Sequence, residues 1–412
     1  MAIPVSRGAL APLREREFRL LFCAQAVSLL GSWMTPLALA FAVLDLTGSA
    51  SDLGIVLGAE LVPFTVLLAV GGVWADRMPR VRLMIVSDVV SAVGQGVLAA
   101  LLIGGVARIW EMAALAAVAG GADAFHTPAW AGLLPQTVPA PLRRRANALR
   151  LLESNVLRVA GPLLAGVIVA TAGAGWAVAA DSASFLLAAA VLVRMRAGRE
   201  PARGARADRR GFVADLAAGG GEVWRRPWLL AMIVDTALWT LVIWGPYQVL
   251  GPYVAKHRLS GAGAWALISA AYGLGTVVGG LAALQVRSRR PLIAALSVNV
   301  AFAPLLVLLA VSGQSWWIAL AALPAGASTS LYLVLWNTAL QQAVPEHLMG
   351  RVTAFDQAAF NAPAPVGMVL AGAAAAAVGA RDALLVSAAW LLVSTVFVLS
   401  VPGVRRFQAA EE

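Results

Sequence analysis

Three ionisable residues stand deep inside stretches that are otherwise apolar: Glu60, Asp123 and Arg158. A carboxylate held there can take up and release a proton, and a guanidinium can pair with it once the proton has gone. Ionised side chains at mid-bilayer cost about 2.5–3.5 kcal/mol each, so each asks for a partner or a role. His126 follows Asp123 by one helical turn and reads either as a proton relay or as a neutral, hydrogen-bonded ring. Asp88, Glu153, Asp181, Asp235 and Asp356 lie nearer the ends of their stretches and are expected simply to be hydrated. Other chemistries lack their residues. Cys23 is the single cysteine, the histidines number three, and no HExxH, GxSxG or phosphate-loop pattern occurs. Neither an enzyme nor a metal or cofactor site is expected.

The stretches that carry these residues set the class. Of 412 residues, 60% are hydrophobic and 13% charged, with a mean hydropathy of +0.80. Soluble domains carry about a quarter charged residues. That contrast excludes a soluble enzyme, a disordered chain and a nucleic-acid binder, despite the net charge of +10. A bilayer core takes about 20 apolar residues as a helix. Twelve such runs occur, near 20–44, 52–74, 83–105, 112–135, 147–172 and 176–193, then 228–254, 262–286, 292–312, 316–340, 352–378 and 383–402. The first follows Arg7, Arg14, Arg16 and Arg19 with no small-residue cleavage site, so it is expected to be retained.

Charge placement orients the runs. The N-terminal segment, the C-terminal segment and alternate connections hold 25 of the 31 cationic residues, while the opposite side holds Arg108, Lys256, Arg258 and Arg381. The positive-inside rule then places both termini in the cytoplasm. Residues 1–193 and 227–412 are expected to form two six-helix bundles, joined by a basic linker over 194–226. The halves also repeat. Val138-Pro139-x-x-Leu142-x-x-Arg145 recurs as Val344-Pro345-x-x-Leu348-x-x-Arg351, and Leu164-Ala165-Gly166 as Leu370-Ala371-Gly372, both at an offset of 206. An even number of spans per half makes these parallel repeats. Gly54/Gly58 and Gly275/Gly279 read as small-residue helix contacts.

The second run ends in Gly71-Gly72-Val73-Trp74-Ala75-Asp76-Arg77-Met78-Pro79-Arg80-Val81-Arg82. The glycines permit close helix approach, Asp76 can meet a helix N-terminus or an arginine, and the arginines anchor the loop. This resembles the loop 2–3 signature of the major facilitator superfamily, G-x-x-x-D-R-x-G-R-R/K. Gly72, Asp76, Arg77 and Arg80 match it, while Pro79 and Val81 depart from it. The succession Leu44-Asp45-Leu46-Thr47-Gly48, Pro128-Ala129, Val138-Pro139, Ala146-Asn147-Ala148-Leu149 and Gly161-Pro162-x-x-Ala165-Gly166 resembles the bacterial branch of enterobactin exporters and macrolide-efflux pumps. Gly161, Pro162 and Gly166 also resemble the antiporter motif of helix 5, with Ala165 in place of a glycine. Unlike many drug/proton antiporters, the fourth run carries no arginine before its glycines, which directs attention to Arg158.

The resemblance implies an all-α integral membrane fold of twelve transmembrane helices arranged as two parallel six-helix repeats. It implies a secondary active transporter of the bacterial cytoplasmic membrane, working as a monomer, that exports a small amphiphilic compound by proton antiport. An uptake symporter or a lipid flippase is the alternative on the same fold. In this superfamily helices 1, 4, 7 and 10 line the central cavity. Gln25, Trp33, His126, Trp130, Asp235, Trp239, Tyr247, Tyr332, Trp336 and Asn337 are therefore the candidate substrate residues. Asp123 lies 18 residues before, and Arg158 17 after, the centre of the connection between helices 4 and 5. At about 1.5 Å per residue that puts them at nearly equal depth, where they are expected to pair, with Glu60 as an alternate proton site.

Overall fold

The computed structural model describes residues 10–198, 220–221, 223–286 and 288–408, which contain helices and no strand. The first six long helices are α1 (Arg16–Thr47), α2 (Ala50–Arg77), α3 (Arg80–Ile103), α4 (Ile109–Thr137), α5 (Arg143–Ala172) and α6 (Ala174–Leu192). The next is α7, built of Pro227–Trp239, a π-helical turn at Thr240–Trp244, and Gly245–Arg258. Then come α8 (Ala262–Ala283), α9 (Pro291–Val311) and α10 (Ser315–Ala343), followed by α11 (Glu346–Asn361 continuing as Pro363–Val378) and α12 (Ala380–Ser400). Most of the expected basic linker lies outside the described residues.

Eleven of these helices are long and apolar enough to cross a membrane, counted among the described residues. The exception is α4, which has the length but carries Asp123, His126, Thr127 and Pro128 at its middle. Large apolar side chains face outward along whole helix faces. On α3 these are Val86, Val89, Val93 and Val97, and on α12 Val386, Val393, Val396 and Phe397. Water would penalise such stripes; lipid does not.

The helices cluster into two compact units. One comprises residues 1–42 and 59–207, the other 43–58 and 208–412. Within the second unit, Gly54 and Gly372 admit the facing backbone. A Cβ on Gly54 would stand 2.4 Å from the carbonyl oxygen of Met368, and one on Gly372 would stand 2.6 Å from that of Ala50. Gly275, Gly279 and Gly326 do the same where α8 crosses α10. These are the small-residue contacts the sequence suggests at Gly54 and at the Gly275/Gly279 pair.

The internal repeat reaches the turns. Val138 and Val344 end α4 and α10 in extended geometry, the conformation favoured before proline. Gly173 and Gly379, again 206 apart, are single-residue breaks between α5 and α6 and between α11 and α12. Their φ values are +95° and +86°, a conformation that only glycine adopts without strain. The π-helical turn of α7 stands just before Pro246, whose ring cannot face the carbonyl four residues back and whose missing N–H breaks the ladder.

Candidate functional site

In the first unit the ionisable residues gather around α4. Asp123 and His126 sit one turn apart and share a face of that helix. Glu60 on α2, Asp88 on α3 and Asp181 on α6 all lie within electrostatic reach of Asp123. Backbone contact brings α2 and α4 together here, since a Cβ on Gly120 would fall 1.8 Å from the carbonyl oxygen of Glu60. His126 Nε2 stands 3.4 Å from Asp88 Oδ1. Asp88 is 1% exposed, and neither of its oxygens receives a hydrogen bond among the described residues. Asp181 is held by Thr35, whose hydroxyl donates to Oδ2 at 2.6 Å. Gly31 makes room for it, because a Cβ there would meet Asp181 Oδ1 at 2.2 Å.

This corrects the expectation that Asp88, Glu153, Asp181, Asp235 and Asp356 are hydrated: all five are buried. Distance from a helix end fixes depth along the axis but not the face, and these side chains face the interior. Depth also misses the network that results, in which Asp88 and Asp181 belong with Glu60 and Asp123.

Arg158 and the helix 5 motif come together with Trp33. The guanidinium of Arg158 lies 4.9 Å from the centre of the Trp33 ring. One turn on, Gly161 receives the backbone of α1, since a Cβ there would stand 2.4 Å from Trp33 Cβ. Pro162 and Gly166 are buried beside it. A second pair repeats the arrangement, with Arg150 4.8 Å from the centre of the Trp130 ring. The indole N–H groups of Trp33 and Trp130, and Gln25 Oε1, are buried without a hydrogen-bond partner among the described residues.

The loop 2–3 motif forms a clamp. Arg80 meets Asp76 at 3.2 Å and donates to the carbonyl of Ala75 at 3.3 Å and to that of Gly132 on α4. Gly132 leaves the slot that the guanidinium fills. Arg77 is exposed. Close approach falls to Gly71, whose Cβ would stand 2.1 Å from the Ala124 carbonyl oxygen, while nothing lies within 4 Å of that position at Gly72.

The second unit holds a cavity of about 270 Å³ between α7, α9, α10 and α11. Asp235, Trp239, Tyr332 and Trp336, four of the expected substrate residues, line it, joined by Thr236, Asn299, Thr329, Leu333, Asp356, Gln357 and Phe360. Thr329, Tyr332, Leu333 and Trp336 follow the spacing of one helix face, a signal legible in the sequence. Trp336 Nε1 donates to Asp356 Oδ1 at 3.1 Å, and Thr236 Oγ1 stands 3.3 Å from the Tyr332 hydroxyl. Tyr247 sits outside the lining, packed among Trp244, Trp265, Tyr272 and Phe302. Asn337 is exposed and donates to the Leu333 carbonyl of its own helix.

A family model described as transmembrane secretion effector matches residues 7–412. The chain is 28% identical to the multidrug efflux pump Tap of Mycolicibacterium fortuitum, over 93% of this chain and 95% of that one. It is 22% identical to macrolide efflux protein A of Streptococcus pyogenes, over 93% and 94%. Among solved structures, the nucleoside transporter NupG superposes with a TM-score of 0.74 at 11% identity, covering 95% of this chain and all of that one. A bacterial homologue of the iron transporter ferroportin gives 0.73 at 14% identity, covering 95% and 99%. At such identities the two structures speak for the fold.

Proposed function

The chain belongs to the transmembrane secretion effector family of the major facilitator superfamily, and on that premise we propose that it is an exporter of small amphiphilic compounds driven by proton entry. It works by alternating access in the bacterial cell membrane, as a monomer with both termini in the cytoplasm. The observation that carries this reading is the group of four carboxylates and one histidine around α4, within helices that are otherwise apolar. Four buried acids are costly when all are ionised at once. Uptake of a proton relieves that cost, and its release restores it, which supplies two states to bias. Asp123 is the central proton site, because Glu60, Asp88 and Asp181 all reach it; His126 relays through Asp88. Arg158 acts as the mobile counter-charge and pairs with Asp123 when the site is unprotonated. The relatives named for multidrug and macrolide efflux support export, and the cell membrane of their bacteria as its place.

The test is tolerance of a compound panel in an efflux-deficient host, read together with extrusion from loaded cells. Wild-type protein should raise tolerance to some members of the panel and lower their accumulation. Asp123→Asn should lose both while keeping substrate binding. Arg158→Ala should destabilise the protein, and the double replacement should recover expression without transport. Unchanged tolerance and accumulation across the panel would refute export. Full pH-dependent transport by Asp123→Asn would refute the proton site, and additive stability losses in the double variant would refute the pair.

A further inference from the structure

The cavity of the second unit joins two features. Its walls are aromatic, with Trp239, Tyr332, Trp336 and Phe360, yet two carboxylates open onto it, Asp235 and Asp356. Both carboxylates are more than nine-tenths buried. The donor that Asp356 accepts from is neutral, the Trp336 indole. No lysine, arginine or histidine stands among the described residues that line the space. Asp235, Asp356 and Tyr332 line one and the same cavity. Trp239 adds a buried indole N–H with no acceptor among the described residues.

A buried negative pair without a resident counter-charge favours a positive occupant, and ring faces attract cations further. We propose that this cavity is the subsite for the cationic head of the transported molecule: a protonated amine seated between Asp235 and Asp356, with its planar, apolar remainder against Trp239, Trp336 and Phe360. The amine donates its N–H groups to the two carboxylates, and a substrate oxygen or ring nitrogen accepts from the Trp239 indole. The subsite rests on the export reading and narrows it to amphiphilic monoamines. It also separates two duties, with substrate charge read on α7 and α11 and protons carried around α4.

Dansylcadaverine supplies the test, because one fluorophore and one chain length can carry three charges. The free amine is the cation, its N-acetyl derivative is neutral, and the dansylated aminohexanoic acid is the anion. Binding is followed by fluorescence of the purified full-length protein in nanodiscs. The cation should bind at least about tenfold more tightly than the neutral analogue, and the anion should not saturate. Asp235→Asn and Asp356→Asn should each weaken the cation about tenfold and leave the neutral analogue unchanged, and the double replacement should erase the preference. Retained binding of the neutral analogue certifies that a variant is folded. If Asp356→Asn loses both ligands, the wild-type charge series and Asp235→Asn still decide. Equal binding of the three probes, or an undiminished preference in Asp235→Asn, would overturn the subsite. Export is scored separately by proton-driven transport of the same probes. Transport of the neutral analogue without charge preference sinks the subsite and leaves export standing. Charge-selective binding without transport of any probe sinks export alone.

Discussion

The clamp around Arg80 gives a prediction whose sign depends on the background. A Cβ at Gly132 would lie 2.4, 2.6 and 2.8 Å from Arg80 Cζ, Nε and Nη1, its three nearest neighbours. All three belong to the guanidinium, so Gly132→Ala must displace it. That movement gives up the bonds to the carbonyls of Gly132 and Ala75 and loosens the contact with Asp76. Hydrogen bonds from a charged donor are worth about 1.5–3 kcal/mol, while alanine in place of a helical glycine returns about 1 kcal/mol. With both bonds given up, the net loss is therefore about 2–5 kcal/mol. In an Arg80→Ala background the obstructing atoms are gone, and the same Gly132→Ala change should stabilise by up to about 1 kcal/mol. The assay is equilibrium unfolding of the four purified proteins in mixed micelles, followed by tryptophan fluorescence and closed as a double-mutant cycle. Equal destabilisation by Gly132→Ala in both backgrounds would refute the slot.

Three further outcomes follow from the same contacts. Asp76→Asn weakens the hold on Arg80 and should slow transport while leaving membrane levels normal; wild-type turnover would reduce the motif to a topological anchor. Gly161→Val drives a side chain into the backbone of α1, with Trp33 C at 3.0 Å. It should lower the melting temperature and abolish transport, and an unchanged melt would contradict the α1–α5 contact. Reporter fusions after residues 80, 143, 205 and 288 should behave as internal, and those near 48, 108, 174 and 258 as external; one inversion would break the orientation.

Much of this architecture is legible because lipid imposes a simple code. Apolar runs of about 20 residues, with arginines gathered towards one end, mark the helices, and the offset that relates Val138-Pro139 to Val344-Pro345 extends to the turns at Gly173 and Gly379. The hydropathy signal is weakest at α4, because Asp123, His126, Thr127 and Pro128 interrupt it. What one sequence does not carry is helix rotation. Asp88, Asp181, Asp235 and Asp356 read as hydrated from their axial positions, yet each faces the interior. For the same reason Gly71 and Gly72 are indistinguishable as letters, although only Gly71 meets a neighbouring backbone. The slot that Gly132 leaves for Arg80 joins residues 52 apart and follows from no local pattern. Tyr247 matches the cavity residues in type and packs into a cluster of rings instead.

Proton-driven export with Asp123 at its heart is tested most directly by proton flux. Purified protein is reconstituted in liposomes that hold a pH-sensitive dye, and a transported compound is added on one side without an imposed gradient. Proton movement opposite to the compound, saturable and absent in Asp123→Asn liposomes that still bind the compound, is the expected result. Movement of the compound with no proton flux, or an equal flux in the variant, would contradict the account.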